Sequence, residues 1–332
     1  MTVEVLFLSM EDISKLLDMS EVISVVEEAF REKCLGRVIM PPKLYLIFKE
    51  FNGDFRCMPA YIKKFNIAGV KIVNVHPLNP RKYGLPTVMA VIELIDPLTG
   101  KPLALMDGTL ITAYRTGAAG GIAIKYLARK DSKIIGMVAS GTQARTQLLA
   151  AYTILGRKIE LVKVYDIIRE KAERFKREME DKLNINIEVV DSIKEAVENV
   201  DILITTTPSR KPIVKAEWIK PGLHINAIGA DAPGKEELDP QILKMSKIVV
   251  DDYKQAIHSG EINVPIAKGI ISKEDIYAEL GEIIAGLKPG RVSSEEITVF
   301  DSTGLAIQDV ATAWLIYEKA KKKGIGTWFK LF

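Results

Sequence analysis

The sequence predicts an α/β protein in which a doubly wound parallel-sheet domain, residues 126–303, is inserted into an α+β domain of residues 1–125 and 304–332. Two observations lead to this division. Residues 43–106 consist of short β-branched segments broken by Pro and Gly, a pattern typical of antiparallel hairpins. From about residue 130 onward, strands alternate with helices, which indicates βαβ units and therefore a parallel sheet.

Composition restricts the class of protein further. The 332 residues are 48% hydrophobic and 27% charged, which is typical of a globular chain of about two domains. A net charge of +3 is too small to argue for nucleic-acid binding, and no apolar run reaches the roughly 18–20 residues that span a bilayer. The N-terminus lacks a signal peptide, and the two cysteines, Cys34 and Cys57, form neither a zinc motif nor a disulfide framework. We therefore expect a cytoplasmic protein that contacts neither nucleic acid nor membrane.

The elements outside the inserted domain follow from local patterns. Residues 1–40 are predicted to be helical, beginning at a capping box of Ser9 and Asp12 and ending at Gly36. Residues 109–128 also have a helical pattern, but three glycines within five positions would weaken a helix, so we expect a close approach of a neighbouring backbone there. A final helix ends at Gly324 and is expected to pack on the first region.

The first βα turn of the inserted domain carries a dinucleotide fingerprint. It reads Gly136-Met-Val-Ala-Ser-Gly-Thr-Gln-Ala144, so that the usual GxGxxG is present as AxGxxA. Gly141 is placed where the backbone approaches a pyrophosphate, and the amides of Thr142 and Gln143 would face it from a helix N-terminus. An ordinary tight strand–helix turn is the alternative interpretation.

The end of the next strand strengthens the dinucleotide interpretation. Asp166 follows the segment ELVKVY, where an acid accepts hydrogen bonds from the adenosine ribose and repels a 2′-phosphate. The prediction is a Rossmann domain that binds NAD. Arg169 lies nearby and leaves NADP open, and Asp166 alone is also compatible with an acid at a helix N-terminus.

Lys71 is the first candidate catalytic residue. It lies within an otherwise apolar strand, AGVKIVNV, on the same face as Gly69 and Val73. Such a lysine is either an edge-strand residue that prevents aggregation or a group held in a site, where burial would lower its pKa toward neutrality. A lysine of that kind is suited to proton transfer.

Asp231 is the second candidate. It follows the segment HINAIGA, just beyond the carboxyl end of a parallel strand, which is the edge where open α/β sheets hold their ligands. An Asx turn before Pro233 is the alternative. Arg56 and Arg115 are candidates for binding a carboxylate or phosphate, although each residue type is also common on surfaces. The three histidines have no ligand spacing, and we predict no metal site.

Taken in order, several segments resemble the ornithine cyclodeaminase/mu-crystallin family, and within it the archaeal alanine dehydrogenase branch, over nearly the whole chain. They are GLPTVM, RTGAAGGIAIKYLARK, SGTQA, TTTPSRKPIVKAEW, HINAIGADAPGKEELD, KIVVDD, GEINVPI and FDSTGLAIQDVA. The resemblance implies a homodimer with a shared N-terminal β-barrel and one Rossmann domain in each subunit. It also implies that Lys71 and Asp231 are catalytic and converge at a bound nicotinamide. The implied cofactor positions are Thr87, Arg115, Thr116, Thr142, Gln143, Asp166, Thr206, Ala227, Lys235 and Ser302, in addition to Gly141 of the fingerprint turn.

One position favours a particular substrate. The family's cyclodeaminases carry an acid two residues before a Met-Pro pair, where it holds the distal ammonium of ornithine; here that residue is Arg56. An arginine pairs with a carboxylate instead, so the resemblance implies reversible NAD-dependent oxidative deamination of L-alanine to pyruvate and ammonia, with Arg115 or Lys43 assisting Arg56. Ornithine cyclodeamination, cyclic ketimine reduction and cofactor binding without turnover are the alternatives.

Overall fold

The computed structural model describes residues 3–331. It divides into two compact units, the first ending at Arg115 and resuming at Leu305, and the second running from Thr116 to Gly304. The first boundary therefore falls inside a helix and earlier than residue 125. None of the helices within residues 3–331 is long and apolar enough to cross a membrane.

The first part of the chain is rich in strands. Its elements are, in chain order, β1 (Glu4–Leu8), α1 (Met10–Ser14), α2 (Met19–Cys34), β2 (Val38–Ile39), β3 (Leu44–Phe48), β4 (Gly53–Ile62), β5 (Ile67–Val75), α3 (Asn79–Lys82), β6 (Val88–Ile95), β7 (Pro102–Asp107) and α4 (Thr109–Leu127). The capping box of Ser9 and Asp12 is confirmed, but the helical prediction for residues 1–40 is wrong at β1. The apolar segment there pairs with β7, and this pairing overrides local helical pattern.

The second part alternates strands with helices, as predicted. Its elements are β8 (Ile134–Val138), α5 (Thr142–Leu155), β9 (Leu161–Tyr165), α6 (Arg169–Leu183), β10 (Ile187–Val189), α7 (Ile193–Val197), β11 (Ile202–Thr205), β12 (Arg210–Val214), β13 (His224–Ala227), β14 (Glu236–Leu238), α8 (Pro240–Lys244), β15 (Lys247–Val250), α9 (Tyr253–Ser259), α10 (Asn263–Ala267), β16 (Ile276–Glu279), α11 (Leu280–Ile284) and β17 (Thr298–Asp301). The chain closes with α12 (Ala306–Lys323) and β18 (Thr327–Lys330).

The sheet of the first unit has the order β18-β1-β7-β6-β5-β4-β2, with β3 paired to β4. Its pairs are antiparallel except for β1 with β7. Helix α12 packs against α2, β4 and β5, so the expectation that the last helix returns to the first region is confirmed. Gly324 ends this helix in the left-handed conformation, with a φ of 64°.

The sheet of the second unit is parallel throughout, in the order β10-β9-β8-β11-β13-β17-β15-β16. Ile202 and Ile204 pack in one apolar cluster and Leu203 in another, so both faces are buried. The strand order reverses between β8 and β11, and ligands bind at such a switch point in open α/β sheets. The predicted α/β class is thus confirmed, together with the antiparallel sheet of the first unit.

The glycines of α4 allow this helix to pack closely against α5 within the second unit. A Cβ on Gly117 would overlap the backbone oxygen of Thr146, and one on Gly120 would overlap the side-chain oxygen of Gln147. The predicted approach of a neighbouring backbone is confirmed at Gly117, whereas at Gly120 the neighbour is a side chain.

Candidate active site

Lys71 lies in the middle of the first unit's sheet. Strand β5 has β4 on one side and β6 on the other, and Lys71 faces Met58 and Ile92 across these pairings. Its side chain is 1% exposed. The interpretation of Lys71 as an edge-strand residue is therefore wrong, because the strand is interior and the ammonium is withdrawn from solvent.

A buried carboxylate on α12 holds the lysine. Lys71 Nζ donates a hydrogen bond to Asp309 Oδ1 at 2.8 Å, and Arg115 Nε donates to the same oxygen at 2.8 Å. Arg115 Nη1 also donates to Gln308 Oε1 at 2.7 Å. Arg115 is 6% exposed, so the alternative that it is a surface residue is wrong.

The surroundings of Lys71 lower its pKa from the ordinary value of 10.5 to about 7. Burial is the main cause, because it penalises the charged ammonium, and the positive charge of Arg115 adds to the effect. Asp309 acts in the opposite direction, and Lys43 contributes a further small decrease. An amine with such a pKa exchanges a proton readily near neutral pH.

Arg56 shares the buried face of the sheet with Lys71. It pairs with Val73 across β4 and β5, which makes it a diagonal neighbour of Lys71, at roughly 7–8 Å between such positions. Arg56 Nε and Nη2 donate to the two carboxylate oxygens of Asp54 at 2.8 and 2.9 Å, and the guanidinium lies over the Tyr45 ring. At 6% exposure Arg56 is not the surface residue that composition alone allowed.

Thr87 is a further candidate residue of the first unit. The carbonyl of Thr87 accepts a hydrogen bond from the backbone amide of His76 at 2.8 Å, immediately before β6.

In the second unit, the fingerprint turn has the geometry that a pyrophosphate requires. Ala139 has a φ of 85°, the left-handed conformation that a glycine usually supplies, so this departure from the pattern preserves the fold of the turn. Gly141 is the N-cap of α5. Within residues 3–331, no side chain caps the helix, and a Cβ on Gly141 would meet no atom within 4 Å. The first amides of a 14-residue helix thus open onto free space.

Asp166 braces this turn. Its Oδ2 accepts hydrogen bonds from the amide and the hydroxyl of Ser140 at 2.9 and 2.7 Å, and its Oδ1 accepts from the amide of Ile168 at 3.0 Å. A carboxylate has about four acceptor directions, so Oδ1 retains one for a ribose hydroxyl. The charge of Arg169 is balanced by Asp191 and Glu173, which weakens the case for a 2′-phosphate there.

Three buried polar atoms at the carboxyl edge of the sheet have no hydrogen-bond partner among residues 3–331. They are Gln143 Oε1, Thr206 Oγ1 and Ser302 Oγ. The backbone amide of Ser302 donates to the carbonyl of Ala227 at 3.1 Å, which joins the ends of β13 and β17. Buried polar atoms of this kind are normally paired, so their common location indicates a polar ligand. Together with the open helix N-terminus, these residues fit a dinucleotide.

Asp231 follows β13 in a loop and is ion-paired with Lys235, whose Nζ lies 2.5 Å from Asp231 Oδ1. The side chain of Asp231 is 36% exposed and that of Lys235 is 19% exposed. Thr116, another of the expected cofactor residues, is buried, and its carbonyl accepts a hydrogen bond from the side-chain amide of Gln147 at 2.8 Å.

Sequence reasoning missed Asp309 and Gln308. The predicted final helix was defined only by its end at Gly324, whereas in the structure residues 306–313 are buried all around the helix. A polar pair within a run of small and apolar residues is the signal that would have found them. The part of the chain that the structure describes holds no cluster of three or more His, Cys, Asp or Glu suited to a metal ion.

Known proteins that are similar to this chain agree with the family resemblance seen in the sequence. The model of the ornithine cyclodeaminase/mu-crystallin family matches residues 3–324. An alanine dehydrogenase of Archaeoglobus fulgidus is 54% identical over 329 residues, which cover 99% of each chain. A solved archaeal alanine dehydrogenase dimer with bound NAD has a TM-score of 0.95 at 55% identity, covering 99% of this chain and 100% of that chain. The Delta(1)-pyrroline-2-carboxylate reductase of Thermococcus litoralis, in complex with NADH and L-proline, has a TM-score of 0.94 at 48% identity, covering 97% of this chain and 99% of that chain.

Proposed function

The chain belongs to the ornithine cyclodeaminase/mu-crystallin family, and from that premise we propose that it is an NAD-dependent alanine dehydrogenase. The reaction converts L-alanine, water and NAD⁺ into pyruvate, ammonium, NADH and one proton, and it is reversible. The observation that carries the proposal is the buried amine of Lys71, whose pKa of about 7 suits proton transfer. The similarity to the Archaeoglobus fulgidus alanine dehydrogenase supports the choice of substrate.

Lys71 is the proposed acid/base. In its neutral form, Nζ accepts a proton when water adds to the imino acid, and in the reverse direction it returns the proton. Asp309 is a positioning residue in this scheme, because its hydrogen bond fixes Nζ at 2.8 Å. Arg115 shares that carboxylate, and its charge favours the neutral amine.

Arg56 is the proposed partner of the substrate carboxylate. Asp54 holds two of its N–H groups, which orients the planar guanidinium, and a guanidinium has further donors for a second carboxylate. Lys43 and Arg115 are proposed to add positive charge for the same group.

Asp231 is proposed to position the substrate amine and then the attacking water. A carboxylate accepts hydrogen bonds from both, and its ion pair with Lys235 orients it. Lys235 is also an expected cofactor residue, so it would contact both the cofactor and the aspartate that positions the substrate.

The cofactor is proposed to occupy the fingerprint turn and the carboxyl edge of the parallel sheet. NAD⁺, when bound, supplies the acceptor for the hydride that leaves the substrate Cα. The pyrophosphate would be held by the amides of Thr142 and Gln143, and the ribose by Asp166. The further residues proposed to hold it are Thr87, Arg115, Thr116, Gly141, Thr206, Ala227, Lys235 and Ser302.

We further propose that the first unit binds substrate and forms a homodimer; the solved archaeal alanine dehydrogenase is a dimer. Edge strand β3 supports this, because Leu44, Leu46 and Ile47 are 55%, 50% and 67% exposed. Replacing Ile47 with Lys should shift the mass measured by light scattering toward the monomer. Leu98→Lys, at a loop residue that is 86% exposed, is the control and should leave the mass unchanged.

Reduction of a cyclic ketimine is the second candidate, because the Thermococcus litoralis reductase is 48% identical. Ornithine cyclodeamination is less well supported, since Arg56 replaces the acid that would hold a distal ammonium.

One assay separates these functions. The protein is incubated with NAD⁺ and L-alanine, L-proline or L-ornithine, and both NADH and the amino-acid products are measured. The proposal predicts NADH formation with L-alanine at the highest kcat/KM. NADH formation with L-proline alone would favour the reductase, whereas conversion of L-ornithine to L-proline without net NADH would favour the cyclodeaminase.

A further inference from the structure

Glu237 is a fully buried residue that joins two loops of the second unit. Its Oε1 accepts hydrogen bonds from the amide and the hydroxyl of Thr207, both at 2.7 Å. Its Oε2 accepts from the hydroxyl of Thr205 at 2.7 Å and from the amide of Gly229 at 2.9 Å. One carboxylate therefore binds the loop after β11 and the loop after β13 at once.

Each of these loops carries a residue of the candidate site. Thr206, with its unpartnered buried hydroxyl, lies between the two threonines that Glu237 holds. Asp231 lies two residues beyond Gly229, and its amide donates to the Gly229 carbonyl at 3.1 Å. The two loops also touch directly, because a Cβ on Gly229 would overlap the backbone of Thr207.

Glu237 is itself anchored by a second buried acid. The Glu261 carboxylate accepts hydrogen bonds from the amides of Glu237 and Leu238, at 2.8 and 2.6 Å to Oε1. The backbone of Glu237 is thus held in place by Glu261. We therefore expect a loss of hydrogen bonds at the Glu237 carboxylate to change the positions of the two loops and not that of β14.

We propose that Glu237 is a positioning residue that sets the spacing between the Thr206 loop and the Asp231 loop. Its effect on catalysis rests on the proposed function, in which Thr206 holds the cofactor and Asp231 serves the substrate. The structural part of the inference, the bracing of the two loops, does not depend on the identity of the amino acid oxidised.

The test is Glu237→Gln, which keeps the size but replaces one acceptor oxygen with an NH₂ group that faces an N–H donor of Thr207 or Gly229. Glu236→Gln is the matched control. Glu236 is the neighbouring residue, is 4% exposed, and its side-chain oxygen lies 3.5 Å from Lys268 Nζ. Its hydrogen bond to the Thr206 loop runs from its backbone amide to the carbonyl of Ser209 at 3.2 Å, and the substitution retains it. Glu237→Asp, which keeps both acceptor oxygens, is the conservative variant and should restore part of the loss.

Hydrogen exchange of the apo protein and NADH binding are the readouts. Glu237→Gln should accelerate exchange roughly tenfold in peptides covering residues 205–209 and 228–232, and should weaken NADH binding about tenfold. Glu236→Gln should change neither. Unaltered exchange in both loops, or equal acceleration across the whole second unit, would overturn the inference. Neither hydrogen exchange nor NADH binding requires an amino-acid substrate. The result would therefore stay interpretable even if the wild type did not oxidise L-alanine.

Discussion

The Nζ of Lys71 lies 2.8 Å from Oδ1 of Asp309, although 238 positions separate the two residues in the chain. One residue projects from the middle of β5 and the other from the first turn of α12. Because Arg115 binds the same oxygen, two cations share one buried carboxylate, and the lysine is the cation that gives up its charge near neutral pH. The fold therefore holds an amine ready for proton transfer.

Replacing Lys71 with Met should lower kcat for L-alanine oxidation by about 100-fold or more, because a positioned acid/base contributes on that scale. NADH affinity, measured by fluorescence titration, should stay within about twofold of wild type. Lys101→Met, at an exposed lysine, is the control and should retain full activity. Turnover close to wild type in the Lys71 variant would remove this residue from the mechanism.

The pH dependence should follow the titration of Lys71. In the wild type, kcat/KM for L-alanine should rise as pH increases through about 7, because the neutral amine is the active form. Asp309 favours the ammonium, so Asp309→Asn lowers the pKa of Lys71 further. The acidic limb of the profile should therefore move to lower pH in this variant. A limb that stays in place, or moves to higher pH, contradicts the account.

Asp309→Asn should also lower the free energy of unfolding. This loss has to be measured before the pH profiles of the variant and the wild type are compared. The substitution leaves the buried guanidinium of Arg115, and Lys71 wherever it is protonated, without their carboxylate. Breaking a buried ion pair costs about 3–5 kcal/mol. Urea unfolding measures this loss, and rates are then compared per folded molecule.

Arg56→Lys should raise KM for L-alanine roughly 10- to 100-fold, because an ammonium cannot hold Asp54 and a substrate carboxylate in one plane. The affinity for NADH should not change. Arg37→Lys, at an arginine whose side chain is 55% exposed, is the matched control. An unchanged KM would show that the substrate carboxylate binds elsewhere.

Asp166→Ser should weaken NAD⁺ binding and raise the NADP⁺ to NAD⁺ affinity ratio by about tenfold or more, since the carboxylate that repels a 2′-phosphate is removed. Titration with both nucleotides measures the ratio. Glu170→Ser, at an exposed acid in the first turn of α6, should leave it unchanged. A ratio that stays constant in Asp166→Ser would place the adenosine ribose away from this residue.

The sequence predicted the parts of the site that depend on local pattern. Strand alternation placed Lys71 on an apolar face, and the strand–turn–helix pattern located Gly141 and Asp166. Ala139 stands where the fingerprint usually has its first glycine. It nevertheless has a φ of 85°, a conformation that glycine would adopt without cost, so the surrounding fold imposes this conformation.

What escaped prediction depends on distant pairing. Asp309 meets Lys71 because α12 returns to the first sheet. The return of the helix was predicted, but no local pattern encodes the alignment that brings Asp309 against Lys71. The place of β17 between β13 and β15 is likewise not encoded locally, because it depends on which strands pair in the finished sheet. Both features are determined by tertiary packing.

Oxidation of L-alanine by means of the Lys71 amine is the proposal on which the other predictions depend. The most direct measurement is the stoichiometry of NADH, pyruvate and ammonium formed from L-alanine and NAD⁺ by the wild type and by Lys71→Met. The account predicts equal amounts of the three products with the wild type and almost none with the variant. NADH without matching pyruvate and ammonium, or equal product formation by both proteins, would contradict it.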